Sequence, residues 1–299
     1  MNFNENNYDY DKMISDIEKL SVYDDIKVNI IGSSVLNKNI YCLKIGHGEK
    51  NVCYIGTHHS LEWISTSLLM KFVYSILDFA KSNKRFLSYD INELFNKVTF
   101  HIIPMLNPDG VDIVNKKIAD KELYEKLLQW NKGEDFSEKW QANANGVDLN
   151  HNYDAGFNKA KVLEIKYGVT GPSSTRYGGP YPESEPEVKA LCDYIRSIPF
   201  SLLISYHSQG EVIYYDYNKK IPKGGKELGK IISRKTGYAL DNTEGISSYS
   251  GCKDWFIEKF DKPAYTIELG KGKNPLNFSQ FEKIYSDNIE SMILAPFLI

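Results

Sequence analysis

The feature that most constrains the fold is an alternation of short apolar runs with amphipathic segments along almost the whole chain of 299 residues. Runs bounded by turn residues predict strands, and apolar residues that recur every three or four positions predict helices. The predicted strands are 26–31, 40–45, 52–56, 98–106, 200–206, 212–217 and 264–269, and the predicted helices are 8–20, 63–81, 121–130, 185–198, 225–236, 254–260 and a C-terminal helix. Such alternation is typical of an α/β domain whose sheet is largely buried.

No internal repeat or low-complexity linker divides the sequence, which favours one continuous domain over 21–299 behind an N-terminal helical extension over 1–20. Residues 111–180 form the irregular part of the chain. Long loops in a compact fold tend to carry function. The sequence N-P-D-G at 107–110 is expected to form a turn that stops the preceding strand.

Charge and composition exclude several classes of protein. With 36 basic and 39 acidic residues the formal net charge is −3, and the lysines are dispersed, so no nucleic-acid partner is expected. The longest apolar run, 292–299, is far shorter than the roughly 20 residues that span a bilayer, so no membrane association is expected either. The composition leaves the oligomeric state open.

A cytoplasmic location is expected from two further features. Residues 1–10 lack both the basic and the apolar part of a secretory signal. The four cysteines are widely spaced and form no CxxC pair, which fits reduced thiols. A role in sporulation, or export by another route, are the alternatives. These cysteines are Cys42, Cys53, Cys192 and Cys252.

A pair of potential metal ligands follows the third predicted strand. His59 and Glu62 are three residues apart, which would place both side chains on one face of a first helical turn. Imidazole and carboxylate are ligands of catalytic zinc, which takes three protein ligands and keeps one position open. The alternative is an ordinary helix start with an acidic residue near the dipole, and His58 competes with its neighbour for the metal.

Two later strands end in candidate catalytic residues. The apolar strand 200–206 runs into His207, and the strand 264–269 carries one carboxylate, Glu268, near its end. Burying a lone carboxylate is costly unless a charge or metal compensates, and ligands of open α/β sheets bind at the carboxyl ends of strands. A structural role for His207 stays open, whereas His101, inside a predicted strand, is expected to be a hydrogen-bonded core histidine.

Seven motifs, taken in chain order, resemble the zinc carboxypeptidase family of metallopeptidases from about residue 20 to residue 295. They are H-S-L-E-W at 59–63, N-P-D-G at 107–110, G-V-D-L-N-H-N-Y-D-A-G-F at 146–157, G-G-P-Y-P-E-S-E-P-E-V at 178–188, Y-H-S-Q-G at 206–210, D-W-F at 254–256 and T-I-E-L-G at 266–270. The resemblance implies a mixed, twisted sheet of about eight strands flanked by helices. It also implies one Zn²⁺ ion bound by His59, Glu62 and His207, with Glu268 as the general base.

Other segments are similar to one bacterial branch of that family, the γ-D-glutamyl-L-diamino-acid peptidases. These segments are T-R-Y-G-G at 175–179, S-E-P-E at 184–187 and Y-H-S-Q-G-E-V-I-Y-Y at 206–215. The branch cleaves cell-wall peptides between D-glutamate and meso-diaminopimelate, which implies a peptide or muropeptide substrate for this chain.

Two departures from the digestive-type members concern substrate recognition. His151 follows Asn150 where those members pair Asn with an Arg that holds the terminal carboxylate of the substrate. Since Arg offers a planar fork and His at most one pH-dependent donor, a plain exopeptidase is not expected. Lys253 stands in the specificity pocket of the family, where a buried ammonium would favour an acidic substrate group. The alternative for Lys253 is a surface lysine.

Three further departures concern catalysis. Leu61 stands where digestive-type members have an Arg inside the H-x-x-E motif. Gln141 follows Trp140 where they have a basic residue that stabilises the oxyanion, so turnover is expected to be slow. The mobile substrate-binding tyrosine of the family aligns near Ile246, and Tyr249 is the candidate replacement.

The sequence therefore predicts a zinc peptidase that hydrolyses a γ-D-glutamyl-meso-diaminopimelate amide bond. The metal polarises the carbonyl and activates water, Glu268 transfers the proton, and Asn150, Tyr249 and Lys253 position the substrate. One alternative is a conventional carboxypeptidase that releases acidic C-terminal residues. The other is a zinc-binding module without turnover.

Overall fold

In the computed structural model, which describes residues 8–299, eight strands form one mixed sheet. The sheet strands are β1 Ile26–Ser33, β2 Asn39–Ile45, β3 Lys50–Gly56, β6 Val98–Ile103, β7 Phe200–Ser208, β8 Val212–Tyr214, β9 Ala239–Asp241 and β10 Ala264–Leu269, and β4 Arg85–Phe86 pairs separately with β5 Tyr89–Asp90. The spatial order of the sheet is β1-β2-β6-β3-β7-β10-β8-β9. β3 runs parallel to both β6 and β7, and β7 runs parallel to β10.

Helices connect the strands and cover both faces of the sheet. The α-helices are α1 Tyr10–Glu18, α2 Ile64–Lys81, α3 Ile91–Lys97, α4 Pro108–Val114, α5 Lys121–Trp130, α6 Phe136–Lys139, α7 Phe157–Lys166, α8 Pro186–Arg196, α9 Gly225–Thr236, α10 Cys252–Phe260 and α11 Phe281–Leu294. Short 3₁₀ turns lie at Lys19–Val22, Leu149–His151, Gly245–Ser248, Phe278–Gln280 and Ala295–Phe297.

The strands divide their side chains between two cores. In β3, Val52 and Tyr54 pack into the core beneath α2, α9 and α11, while Cys53 and Ile55 pack into the core beneath α8 and α10. Successive strand residues point to opposite faces, so a strand that is apolar at every position must be covered on both sides. This explains why the central strands read as uninterrupted apolar runs.

The sequence located most elements correctly, and α9 and β10 have the predicted bounds. The N-P-D-G segment differs: Asn107 caps a helix, because its side chain accepts the N–H of Gly110 at 3.0 Å and Pro108 occupies the first helical position. β6 and β8 each end three residues earlier than predicted, at Ile103 and Tyr214, and α3, α6, α7, β4, β5 and β9 were not predicted.

Other expectations can be compared directly. All four cysteines are buried and unpaired. His101 is a buried core residue whose ring nitrogens lie 2.7 Å from the hydroxyl oxygen of Tyr194 and 3.0 Å from Oδ1 of Asn51. α1 packs on the main core through Met13 and Ile17, although a domain division at residue 20 stays a prediction.

Residues 1–7, on which much of the signal-peptide prediction rests, lie outside the described residues. From residue 8 onward, every helix is too short or too polar to span a bilayer.

Candidate metal centre and active site

The first two candidate ligands lie in the connection between β3 and α2. The chain turns after Gly56, and the N–H of Glu62 donates to the carbonyl of His59 at 3.0 Å. The pair therefore lies in a turn that ends before Ile64, rather than in the first helical turn that the spacing predicted. The side chain of Ser65 stabilises this turn, because its hydroxyl donates to the carbonyl of Glu62 at 2.7 Å and accepts the N–H of Thr57 at 2.9 Å.

The third candidate ligand, His207, comes from the end of β7, the strand beside β3 in the sheet. Glu62 bridges the two imidazoles: one oxygen lies 2.9 Å from Nδ1 of His59 and the other lies 3.0 Å from Nδ1 of His207. The potential ligand atoms of the three residues all lie within 4.8 Å of one another. The sequence-predicted triad thus converges at one point on the sheet edge.

Buried polar groups orient each member of the triad. Nε2 of His59 lies 3.1 Å from a carboxylate oxygen of Asp148, and Nε2 of His207 lies 3.1 Å from Oγ of Ser205. Glu62 accepts the main-chain N–H of Ser208 at 3.2 Å and the side-chain amide of Asn274 at 3.3 Å. Such outer partners fix the ring orientation and tautomer of metal-binding histidines.

His58, the competing histidine, is not part of this cluster. Its side chain is fully buried, with Nε2 at 2.8 Å from the hydroxyl of Tyr153 and Nδ1 at 3.2 Å from Oγ of Ser205. Burial, together with the nearby His207 and His59, lowers the pKa of His58 well below its usual value. A neutral, hydrogen-bonded role in the core follows.

The triad fits a catalytic zinc ion. Two imidazoles and one carboxylate form a known set of three protein ligands for zinc, and the cleft beside them leaves room for a fourth, non-protein ligand. Burial opposes charge on both His59 and Glu62. Even so, Glu62 and Asp148 raise the pKa of His59 well above its usual value. Despite its own burial, Glu62 has its pKa lowered to about 2 by His59 and His207. The pocket therefore favours a positive charge between these groups, which a divalent cation supplies.

Glu268 lies beside the triad on β10. It pairs with His207 in the parallel ladder between β10 and β7, and its side chain is partly buried against the cleft. Burial, and next the negative charge of Glu62, raise the pKa of Glu268 well above its usual value. A carboxylate whose proton affinity is raised in this way is suited to accept and return a proton.

A cleft over these residues has two lobes that share five lining residues: His59, His151, Tyr214, Ser247 and Glu268. The inner lobe is a cavity of about 480 Å³, and the outer lobe has about 580 Å³. The inner lobe is lined by His59, Asn150, His151, Tyr214, Asp241, Asn242, Thr243, Glu244, Ser247, Gly251, Lys253, Asp254, Thr266 and Glu268. The outer lobe extends past Glu62, Gln141, Asp148, Thr175, Arg176, Ile246 and Asn274.

Four of the five predicted substrate-binding residues line this cleft: Gln141, Asn150, His151 and Lys253. Gln141, in the outer lobe, accepts the hydroxyl of Thr175 at its Oε1 (2.6 Å). Asn150 and His151 line the inner lobe, where Oδ1 of Asn150 accepts the N–H of Cys252 at 3.0 Å. Nδ1 of His151 is buried without a hydrogen-bond partner in the part of the chain that the structure describes.

Lys253 and Tyr249 differ in their relation to the cleft. Lys253 lines the inner lobe and is only 3% exposed, so the surface alternative does not hold. Its ammonium donates to the carboxylate of Asp254 and to the carbonyl of Asp216. Tyr249 is absent from the lining of both lobes and packs edge-on against the ring of Tyr217.

Several residues at the site were not anticipated as functional. Asp148 lies inside a motif quoted for the family resemblance, and that position was the signal that the sequence offered; its contact with His59 appears only in the structure. Asn274 follows a glycine-rich loop, and Tyr214 is one of several tyrosines near the end of β8, so neither had a distinguishing local pattern.

Comparison with known proteins agrees with this geometry. The family model described as zinc carboxypeptidase matches residues 13–291. A protein of Lysinibacillus sphaericus named gamma-D-glutamyl-L-diamino acid endopeptidase 1 is 35% identical over 294 residues, covering 98% of this chain and 73% of that protein.

Solved structures show the same fold. The structure of carboxypeptidase A from Helicoverpa armigera has a TM-score of 0.75 at 19% identity and covers 100% of this chain and 74% of its own. The murein-tripeptide amidase MpaA of Escherichia coli O157 has a TM-score of 0.54 at 20% identity, covering 89% of this chain and 91% of its own.

Proposed function

The chain belongs to the zinc carboxypeptidase family and is a metallopeptidase, and on that premise we propose that it hydrolyses the amide bond between γ-D-glutamate and meso-diaminopimelate in peptidoglycan-derived peptides. The observation that carries this proposal is the buried ammonium of Lys253 in the inner lobe, a cavity that Glu268 and His59 also line. The name of the relative from Lysinibacillus sphaericus supports the same substrate class.

The metal-binding residues in this proposal are His59, Glu62 and His207. A zinc ion bound there would act as a Lewis acid and lower the pKa of a bound water. Asp148 holds His59 with its Nδ1 toward Glu62, and Ser205 does the same for His207. These contacts orient the two imidazoles toward Glu62, as outer partners of metal-binding histidines do.

Glu268 is the proton carrier in the proposed reaction. Its carboxylate takes a proton from water in the cleft and delivers it to the nitrogen of the leaving residue. Burial, and next the charge of Glu62, raise the pKa of Glu268, which favours acceptance of a proton from water. The leaving residue must therefore lie within hydrogen-bond reach of Glu268.

Gln141 is the proposed oxyanion donor. The hydroxyl of Thr175 donates to Oε1 of Gln141, and this assignment leaves the amide N–H₂ of Gln141 available on the cleft side. A neutral amide can donate to developing negative charge, although it lacks the full charge of an arginine. Slower turnover than in digestive-type members is the consequence.

The inner lobe is the proposed site for the leaving residue. It offers a buried ammonium on Lys253, the imidazole of His151 and the amide of Asn150, which are donors for carboxylates. Diaminopimelate carries two carboxylates, so one can face His151 and Asn150 while the other faces Lys253. No single residue here provides the bidentate fork that an arginine gives to one terminal carboxylate.

A conventional carboxypeptidase that releases acidic residues is the second candidate, because Lys253 would also bind a glutamate side chain. The experiment that separates the two offers the purified, zinc-loaded protein L-Ala-γ-D-Glu-meso-diaminopimelate and, in parallel, an α-linked peptide ending in glutamate. Products are identified by mass, with and without chelator. Chelator-sensitive release of free diaminopimelate supports the proposal, and cleavage of the α-linked peptide alone contradicts it.

A further inference from the structure

We infer that the hydroxyl of Tyr214 binds one particular carboxylate of the leaving residue. This is the carboxylate on the carbon that bears the scissile nitrogen. Tyr214 would then be a substrate-contacting residue of the inner lobe. This inference rests on the proposed function and assigns a specific contact within it.

The sheet register places Tyr214 beside Glu268. Tyr214 is the partner of Thr266 in the antiparallel pairing of β8 with β10, so these two side chains point to the same face. Glu268 is two residues beyond Thr266, and residues two apart in a strand share a face. Tyr214 and Glu268 are therefore diagonal neighbours on the surface that faces the cleft, as their presence in both lobes confirms.

The strand order gives the direction in which the substrate extends. Moving across the sheet, His207 on β7 is followed by Glu268 on β10 and then by Tyr214 on β8, at about 4.8 Å per strand. Tyr214 is thus on the side of Glu268 away from the metal ligands. Because Glu268 delivers its proton to the leaving nitrogen, the groups attached to that nitrogen lie over β8.

The hydroxyl of Tyr214 is available for such a contact. It makes no hydrogen bond to any other residue within 8–299, and the side chain is only partly buried. Burial, followed by the charges of Glu268 and Asp241, raises the pKa of Tyr214. The phenol consequently stays protonated at neutral pH and can donate to a carboxylate.

The other aromatic candidates do not reach this position. Tyr249, the replacement suggested by the sequence, packs against Tyr217 outside the lining of both lobes. Tyr215, the next residue after Tyr214, points to the opposite face and is buried in the main core at 6% exposure. Tyr214 is accordingly the tyrosine of the inner lobe among residues 8–299.

The test combines a change in the enzyme with a change in the substrate. The enzymes are the wild type, Tyr214→Phe and the matched control Tyr215→Phe, each zinc-loaded and checked for folding by circular dichroism. The substrates are L-Ala-γ-D-Glu-meso-diaminopimelate and the same peptide with the carboxylate next to the scissile amide converted to a carboxamide. Calorimetric titration with free meso-diaminopimelate gives a readout that does not require turnover.

The inference expects kcat/KM of Tyr214→Phe on the acid peptide to fall about ten-fold, mainly through KM, since hydrogen bonds to charged groups are the stronger class. On the carboxamide peptide the wild type and Tyr214→Phe should differ by less than about two-fold. Binding of free diaminopimelate should weaken about ten-fold in Tyr214→Phe and stay unchanged in Tyr215→Phe. Equal losses on both peptides, or no loss on either, would overturn the inference.

Failure of the proposed function gives a different result. If the wild type cleaves an α-linked peptide ending in glutamate but no γ-D-glutamyl peptide, the proposed function is wrong. The acid and carboxamide forms of that α-linked peptide then decide the role of Tyr214 in the same way. If the wild type cleaves neither peptide class, both proposals are overturned.

Discussion

Glu268 lies directly opposite His207 in the parallel ladder between β10 and β7. The proposed base and one proposed metal ligand are therefore fixed relative to each other by main-chain hydrogen bonds of the sheet rather than by a loop. His59 and Glu62 join them from the connection after β3, the strand on the other side of β7. Catalytic groups held on regular elements keep their geometry better than groups on loops.

Replacing Glu268 by Gln should remove proton transfer and leave the metal ligands intact. We expect turnover of the γ-D-glutamyl peptide to fall by roughly 10²–10⁴-fold, the usual contribution of a general base. Zinc content, measured by atomic emission, should equal that of the wild type. A variant that retains turnover would refute the assignment of Glu268, and one that loses zinc would show that the carboxylate helps to bind the metal.

Replacing Asp148 by Asn should weaken metal binding without removing a ligand. The 3.1 Å contact between Asp148 and Nε2 of His59 stabilises the ring orientation, and such outer partners contribute about 10–100-fold in metal affinity. Competition with a zinc-sensitive chelator measures the change. Asp154→Asn is the control, because Asp154 is half-exposed and, within residues 8–299, its ion pair is with Lys259 at the surface. Equal zinc affinities in the two variants would contradict the role of Asp148.

Replacing Gln141 by Ala should reduce kcat more than it raises KM, since the proposed contact forms as charge develops on the carbonyl oxygen. One oxyanion donor contributes about 10²–10³-fold in rate. Thr175→Val removes the hydroxyl that orients the amide of Gln141 and should give a smaller loss of the same kind. Unchanged steady-state rates for Gln141→Ala would place the oxyanion donor elsewhere.

Replacing Lys253 by Met should destabilise the protein as well as change its substrate preference. The change leaves Asp254 buried without its cation, and breaking a buried ion pair in this way costs about 3–5 kcal/mol. Urea denaturation measures the free energy of unfolding. The exposed lysine variant Lys259→Met should lose less than about 1 kcal/mol. A Lys253→Met protein as stable as wild type would contradict the buried pair.

Glu187 should make stability depend on pH. Burial raises the pKa of Glu187 to about 8, whereas the unfolded chain titrates near 4.5. The folded protein therefore holds a proton that the unfolded chain has lost between about pH 4.5 and 8, so the free energy of unfolding falls as pH rises through this window.

The variant Glu187→Gln removes this titration. Between pH 5 and 8.5, the free energy of unfolding of this variant should decline less than that of the wild type. The difference should be several kcal/mol, because each unit of pKa difference corresponds to about 1.4 kcal/mol. Denaturation curves at several pH values give the comparison. Glu122→Gln, at an exposed position, should follow the wild-type profile, and a parallel decline in Glu187→Gln would contradict the prediction.

The sequence predicted the elements with strong local signals, and it singled out candidate ligands that the fold brings together. Amphipathic spacing located α2 and α9, and apolar runs that end in one polar residue located His207 and Glu268. The signals are strong because a strand buried on both faces admits few polar residues, so the exceptions stand out. The helix at Pro108 was missed because Asn-Pro-Asp-Gly suits a turn as well as a capped helix start.

Placement of substrate-binding side chains could not be predicted in the same way. The sequence offers both Tyr214 and Tyr249 as tyrosines close to predicted site residues. Only the pairing of β8 with β10 shows that Tyr214 is the one beside Glu268. Lys253 likewise had two interpretations until the packing of α10 buried it against Asp254. Long-range register and packing decide such cases, and neither is encoded in a local window.

The dependence of the site on strand pairing has a consequence for tolerance to change. A slip of β10 by one residue against β7 would turn Glu268 toward the opposite core and bring an apolar neighbour, Ile267 or Leu269, to the cleft. The same slip would break the diagonal between Glu268 and Tyr214. An insertion or deletion within β10 should therefore abolish hydrolysis even where the chain still folds, whereas one in the exposed turn at Gly133 should leave hydrolysis unaffected.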